Sequence, residues 1–354
     1  MIEIFKAAVQ RGASDIHMKV GDFVRARIHG ELVPLTQQRL STDQVRQICE
    51  QLITNPKDRD RFDELKDYDC SWGAPGLGRF RVNILRQRGT PMAVMRVIPI
   101  DIPNFESLRL PPVLAAIAQA ERGMVLVTGV TGSGKSSTLA AMVGYINNTR
   151  KKHVITLENP IEFLHRDINC SITQREVGSD TATFDQGLKS ALREDPDVIM
   201  IGEMRDTTTI DTAMKAAETG HLVLSTLHTT NAVQTITRIV AVFPPHEQEM
   251  VRIRLAENLV GVVSQRLLPR KDSRGRVVAA EVMVVTGTIQ DAILDGDKLH
   301  EIYDLIADGK EQYGSQTFDQ HLRDLVEADL VSYEVAKAAA NNPADFELKM
   351  RTLV

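Results

Sequence analysis

An apolar run, Met124-Val-Leu-Val-Thr128, gives way to Gly129-Val-Thr-Gly-Ser-Gly-Lys135-Ser136, which satisfies G-x-x-x-x-G-K followed by Ser or Thr at every fixed position. Few segments limit a fold so tightly, because a strand must enter this loop and a helix must leave it. A glycine-rich loop turns its backbone N–H groups around a polyphosphate, and the helix starting near Lys135 adds a partial positive charge at the same point. Lys135 is then placed to reach the β and γ phosphates, and the Ser136 hydroxyl to ligate Mg²⁺. Gly129, Thr131, Gly132, Ser133, Gly134 and Ser137 complete the cradle, and ATP with Mg²⁺ is the expected pair.

The rest of the chain splits in grammar on either side of a proline-rich stretch. At 354 residues it exceeds what one hydrophobic core usually organises, so two domains are expected. Residues 1–98 read as an α+β module. Ile2 to Gln10 has an amphipathic helical pattern, and Ile16 to Val20, Val24 to Ile28 and Phe80 to Ile84 alternate apolar and polar residues as half-buried antiparallel strands do. Thr42 to Ile53 has helical spacing with Ser41 as its cap. Residues 99–112, bounded by Ile98-Pro-Ile-Asp-Ile-Pro and Pro111-Pro112, read as a stiff connector. Over 113–288 the runs Met124 to Thr128, Val154 to Leu157, Val198 to Ile201 and Leu222 to Ser225 are almost uninterrupted and apolar, as parallel strands covered on both faces are. Helical stretches at Ser136 to Asn147, Phe184 to Glu194 and Thr207 to Thr219 alternate with them, giving a doubly wound α/β sheet whose ligands sit at the strand carboxyl ends. Residues 289–354 read as a helical tail.

Composition removes several classes. A net charge of −5 argues against bulk nucleic-acid affinity. No run approaches the length of a membrane span and the first residues lack a signal-peptide order, so a cytoplasmic protein is expected. Three widely spaced cysteines, Cys49, Cys70 and Cys170, offer neither a disulfide framework nor a zinc knuckle.

Hydrolysis needs acids near the γ phosphate and cations to spread developing charge. Asp197-Val-Ile-Met-Ile-Gly-Glu203 is an apolar strand ending in a carboxylate, where a P-loop enzyme keeps its Mg²⁺-organising acid; Glu203 would act on the metal directly or through water. Thr156-Leu-Glu158-Asn-Pro-Ile-Glu162 supplies a second acidic site, in which either Glu158 or Glu162 could activate the attacking water. His221 and His228 bracket another strand and could sense the γ phosphate. Between Cys70 and Ile100 there is no acid, yet Arg79, Arg81, Arg86, Arg88 and Arg96 lie there, so a local positive face is expected. Aromatic residues for base stacking are sparse near it, which disfavours a nucleic-acid partner.

Taken in order, these segments resemble the secretion and type IV pilus superfamily of hexameric P-loop ATPases, and within it the PilT-like retraction motors. Ala13-Ser-Asp-Ile-His17 is similar to that family's N-terminal signature, Gly129 to Ser136 to its Walker A motif, and Ile155 to Phe163 to its aspartate box. Asp197 to Asp206 is similar to its Walker B segment, and Ala217 to His221 through Leu227 to Thr230 to its histidine box. The resemblance implies a PAS-like N-terminal domain followed by a RecA-like ATPase domain with a mostly parallel sheet, six chains in a ring, and nucleotide held between the domains. It also implies Glu203 as the Walker B acid, Glu162 as the favoured base, His221 and His228 near the nucleotide, and Arg81 and Arg96 as the arginines reaching the phosphates. The implied work is pilus retraction and twitching motility through an inner-membrane platform protein, with the membrane touched only through that partner at its cytoplasmic face. Two departures stand out. Asn159 replaces the usual Asp of the aspartate box, and Thr288 to Gly296 lacks both arginines of the family's A-I-R-N-L-I-R-E segment. An accessory PilU-like retraction ATPase therefore remains an alternative, as does an extension or secretion ATPase, although relatives of that kind carry a four-cysteine zinc insertion.

Overall fold

The structure, a computed structural model, describes residues 1–99, 101–272 and 275–351. It divides into two compact units, Met1–Asp101 with Glu162–Leu164, and Ile102–Ile161 with His165–Val354.

The first unit is a six-stranded antiparallel sheet with helices on one face. Its strands are β1 (Ala13–Lys19), β2 (Arg25–Ile28), β3 (Glu31–Pro34), β4 (Asp67–Ala74), β5 (Gly78–Gln87) and β6 (Thr90–Val97), in the order β3-β2-β1-β6-β5-β4. Period-two alternation sends Ile16, Met18, Phe80, Val82 and Met95 to the core, where they meet Phe5 of helix Ile2–Gln10 and Val45, Cys49 and Leu52 of helix Thr42–Leu52. The second helix starts where the sequence places it: Ser41 accepts from Gln44 N, and the Gln44 side chain accepts from Ser41 N, a full capping box. All three cysteines are free thiols. Burial pushes the Cys49 thiol up to about 12, consistent with an inert core residue.

The second unit holds a seven-stranded sheet of β7 (Gly123–Thr128), β8 (His153–Glu158), β9 (Ser171–Glu176), β10 (Val198–Ile201), β11 (Leu222–Leu227), β12 (Leu259–Pro269) and β13 (Arg276–Val284). Their order is β13-β12-β7-β11-β10-β8-β9, parallel throughout except for the antiparallel β12–β13 pair. The unbroken apolar runs follow from burial on both faces. Met124 and Leu126 enter one core with Met214 and Ile236, while Val125 and Val127 enter the other with Leu139, Met142 and Ile146 of helix Lys135–Thr149. From Ile102 onward the proline-rich stretch belongs to this unit, with the Phe105 ring packed at a tilt against Tyr145, 5.2 Å between ring centroids. The chain's later part is helical, as expected, and helix Phe318–Glu327 packs Phe318 and Leu322 against Leu268, Val277 and Ala279 of the β12–β13 hairpin. Among the described residues no helix is long and apolar enough to cross a membrane.

Candidate functional site at the carboxyl ends of the parallel strands

β7 delivers the chain into the glycine-rich loop and helix Lys135–Thr149 leaves it, the strand–loop–helix order that the motif requires. Gly129 turns at φ 142°, and a Cβ there would lie 2.5 Å from Ser133 Oγ and 2.6 Å from the Gln265 carbonyl oxygen, so only glycine fits. Gly134, in the left-handed region, is the N-cap residue and supplies no side-chain cap, which leaves the helix's first N–H groups directed at the loop. Lys135 is buried, and its Nζ donates to the carbonyl oxygens of Gly129 at 2.8 Å and Val130 at 3.0 Å. Ser133 Oγ is buried with no hydrogen-bond partner among the described residues. A buried hydroxyl without a partner is costly, and a phosphate oxygen would satisfy it, so the cradle suits a polyphosphate. Thr131 and Gly132 are exposed at the loop tip, whereas Ser136 and Ser137 are half-buried in the helix's first turn.

Two strands from β7, β10 is followed directly by Gly202 and Glu203. At about 4.8 Å per strand this acid is set roughly 10 Å across the sheet from the phosphate loop. Thr226 Oγ1 donates to the Gly202 carbonyl at 2.7 Å, and Met204 N donates to the Thr226 carbonyl at 3.2 Å, so the turn bearing Glu203 is tied to β11 on both sides. One carboxylate oxygen of Glu203 meets Arg205 at 2.7 Å, and the other faces His228 Nε2 at 3.5 Å. His228 follows β11 directly, so the sheet register itself places the imidazole beside the acid.

One strand further, β8 ends in Glu158, 7% exposed. Its Oε1 accepts from Thr156 Oγ1 at 2.7 Å and Gln174 Nε2 at 3.1 Å. Sequence reasoning missed what holds the loop after it. From β9, Glu176 accepts Ile161 N at 3.0 Å and Gln174 accepts His165 N at 2.8 Å, which clamps both ends of the segment carrying Glu162. Glu162 and Asn159 are both exposed, so the charge missing at Asn159 is missing from the surface.

Two expectations change. His221 precedes β11, and β11 pairs in parallel with β7 so that Leu222 lies beside Gly123 and Leu227 beside Thr128. It is therefore at the opposite end of the strand from the phosphate loop, about 20 Å away along a six-residue strand. There its Nδ1 lies 2.8 Å from the Ala216 carbonyl and 3.2 Å from Thr219 Oγ1. Within one chain, His228 stands at the phosphate end and His221 does not. In the first unit, the arginines do not form a single positive face. Arg86 points to the core side, over the Phe62 ring at 4.8 Å, and donates to the Phe62 and Leu65 carbonyls. Arg81 and Arg96 are register partners and share the other face, but Arg96 Nε donates to Asp15 at 3.0 Å. Burial acts to raise the Asp15 carboxyl, yet hydrogen bonds from Arg96 and Ser14 outweigh it and hold the group below the ordinary range. Arg81 is exposed.

Comparison with known proteins follows the same geometry. The model of the family described as type II/IV secretion system protein matches residues 1–334. The type IV pilus retraction ATPase PilT of Pseudomonas aeruginosa is 44% identical over 344 residues, 97% of this chain and 99% of the relative. The type IV pilus ATPase PilU of the same organism is 40% identical over 351 residues, 99% of this chain and 91% of the relative. A crystal structure of the pilus retraction motor PilT with bound ADP matches with a TM-score of 0.89 at 43% identity, covering 98% of both chains.

Proposed function

The chain belongs to the type II/IV secretion system protein family, and on that premise we propose that it is the ATPase motor of type IV pilus retraction, working as a six-membered ring. The observation that carries this reading is the row along one sheet edge: phosphate loop, His228, Glu203 and Glu158, each at the carboxyl end of a neighbouring parallel strand. In this reading the amides of Gly129 to Gly134 and the Lys135 ammonium grip the β and γ phosphates, with Thr131, Ser133 and Ser137 lining the cradle. Mg²⁺, when bound, spreads the charge that develops on the phosphates. Ser136 would ligate it, and Glu203 would hold it directly or through water. Among the described residues no cluster of His, Cys, Asp and Glu forms a protein-only metal cage. A nucleotide-bound magnesium needs only one or two protein oxygens.

Glu162, carried on the exposed turn that Glu176 and Gln174 clamp at either end, activates the attacking water, and Glu158 is held in reserve by Thr156 and Gln174. His228 reads the γ phosphate through its contact with Glu203. In the ring, the first unit of a neighbouring chain supplies further positive charge, Arg81 before Arg96, because Asp15 already neutralises the latter. The motor acts on an inner-membrane platform protein and meets the membrane only through it, from the cytoplasmic side. One observation favours a second reading as an accessory retraction ATPase: helix Gly287–Leu294 exposes Asp291 and Leu294, with Asp295 just beyond, and no arginine.

Native mass measurement paired with Mg-ATP turnover tests the main reading. Six subunits are expected, with Glu203→Gln lowering kcat by about a hundredfold or more while ATP binding persists. A monomer whose turnover ignores that substitution would overturn both the ring and the assigned acid.

A further inference from the structure

Glu281, in β13, is the most deeply buried carboxylate among the described residues, 2% exposed, and the hydrolytic reading gives it no part. The cation that acts on it is turned elsewhere: the Arg266 guanidinium lies 3.9 Å over the Phe318 ring and donates to Asn341 at 2.6 Å. What Glu281 does hold is a backbone group. Its Oε1 accepts the N–H of Ala232 at 2.8 Å, and Ala232 opens helix Ala232–Ala241. That N–H is one of the four that every helix leaves without an internal acceptor.

The register gives the contact its meaning. Glu281 pairs with Ser264, Ser264 with Thr128, and Thr128 with Leu227, so one row crosses the sheet from the buried carboxylate to the residue before the phosphate loop and the residue before His228. Ser264 and Thr128 also share a hydroxyl hydrogen bond at 2.9 Å. The four residues from His228 to Asn231 therefore span two fixed points, the end of β11 and the helix start that Glu281 anchors. Inside the span, Asn231 caps Gln234 N at 2.8 Å and Thr229 meets Thr235 at 2.6 Å, so the loop has little slack of its own.

We propose that Glu281 is a positioning residue for ATP hydrolysis: by holding the Ala232 amide it fixes the far end of the His228 loop and sets the imidazole against Glu203. The inference rests on the ATPase reading. Losing the carboxylate leaves a buried N–H unpaired and lets the loop drift, which degrades the step that follows nucleotide binding and spares the grip on the phosphates.

The test uses the full chain and three variants, with kcat for Mg-ATP, the Kd of a fluorescent ATP analogue and the melting temperature measured for each. Glu281→Ala is expected to lower kcat about tenfold or more with Kd changed by less than about twofold. Glu281→Gln keeps an oxygen that can accept the same N–H and is expected to recover kcat to within about threefold. Ala232→Pro removes the donor at the one helical position that tolerates proline, so its kcat should match that of Glu281→Ala. The double variant should fall no further than either single one. An unchanged kcat in Glu281→Ala, a Kd that moves as much as kcat, or additive losses in the double variant overturns the proposal. If Glu281→Ala does not fold, a wild-type kcat in Ala232→Pro overturns it instead. A wild-type chain without turnover sinks the ATPase reading, whereas a turning-over wild type matched by its Glu281→Ala variant sinks this inference alone.

Discussion

The two sheets of the chain handle charge in opposite ways. In the first unit one sheet face builds the core and the other carries Asp15, Arg81 and Arg96 in cross-strand register, with both arginines exposed at a surface where a changed side chain is easily accommodated. In the second unit both faces are covered, and the polar groups of the phosphate site emerge where the central strands end. Chemistry is thereby forced onto one edge, and its geometry is inherited from backbone register rather than from side-chain reach. The edge is the more precise arrangement and the less tolerant one.

The sharpest break between the two should come at Gly129. Gly129→Ala places a methyl against the Gln265 carbonyl and Ser133 at a φ that L residues rarely adopt, and a loss of several kcal/mol, with ATP binding abolished, is expected in calorimetric titration. Normal affinity in that variant would show that the edge tolerates change as well as the face does.

Acid should separate the units next. Burial holds the imidazoles of His165 and His321 down to about 4, so the unfolded chain, with ordinary imidazoles, binds more protons between about pH 6.5 and 4. Their contribution is complete above that window and is lost as pH falls through it. Burial pushes Glu281 up to about 7, which has the opposite sign, because its protonated form is favoured in the fold and stability is lost as pH rises through 7. Two imidazoles against one carboxyl leave the second unit weaker by about 3 kcal/mol at pH 4 than at 7. His17 in the first unit shifts the same way but is only half-buried, and Asp22, which Arg25 holds at about 2, gives up its contribution only below about pH 4, so that unit should lose less over the same window. Trp72, the single tryptophan, lies in β4 and reports the first unit alone. Urea midpoints from its fluorescence should therefore move less between pH 7 and 4.5 than those from far-ultraviolet dichroism, and coincident movement would count against the contrast.

The two histidines of β11 divide the edge from its opposite end. His228→Ala should lower kcat by about a hundredfold with little change in Kd. His221→Ala should show first in the melting temperature, through the lost Ala216 contact, with ATP affinity unchanged. The smallest effect belongs to the charged face: Arg96→Ala should cost less than about 1 kcal/mol, read by Trp72 fluorescence, and let the Asp15 carboxyl rise toward its ordinary range.

What the sequence disclosed follows the same division. The central strands are legible because burial on both faces writes four to six apolar residues in a row, and the phosphate loop because its glycines are sterically obligatory. β9 is not, since Ser171–Glu176 mixes polar and apolar side chains at a sheet edge. β12 is hidden too, because helix Gln248–Asn258 runs into it without a glycine or proline to mark the change. Gln174, Glu176 and Glu281 act on backbone N–H groups that become neighbours only after the sheet assembles, so no spacing rule could have found them. The misplaced His221 is the converse case. Motif proximity in sequence says nothing about which end of a strand a residue occupies.

The ammonium of Lys135, held by the carbonyls of Gly129 and Val130, has a kinetic corollary. A loop that braces itself from within needs no guest to take its shape, so a nucleotide arriving from solution meets a finished receptacle. Capture then needs little ordering of the loop, and association is limited by encounter and desolvation rather than by shaping of the cradle.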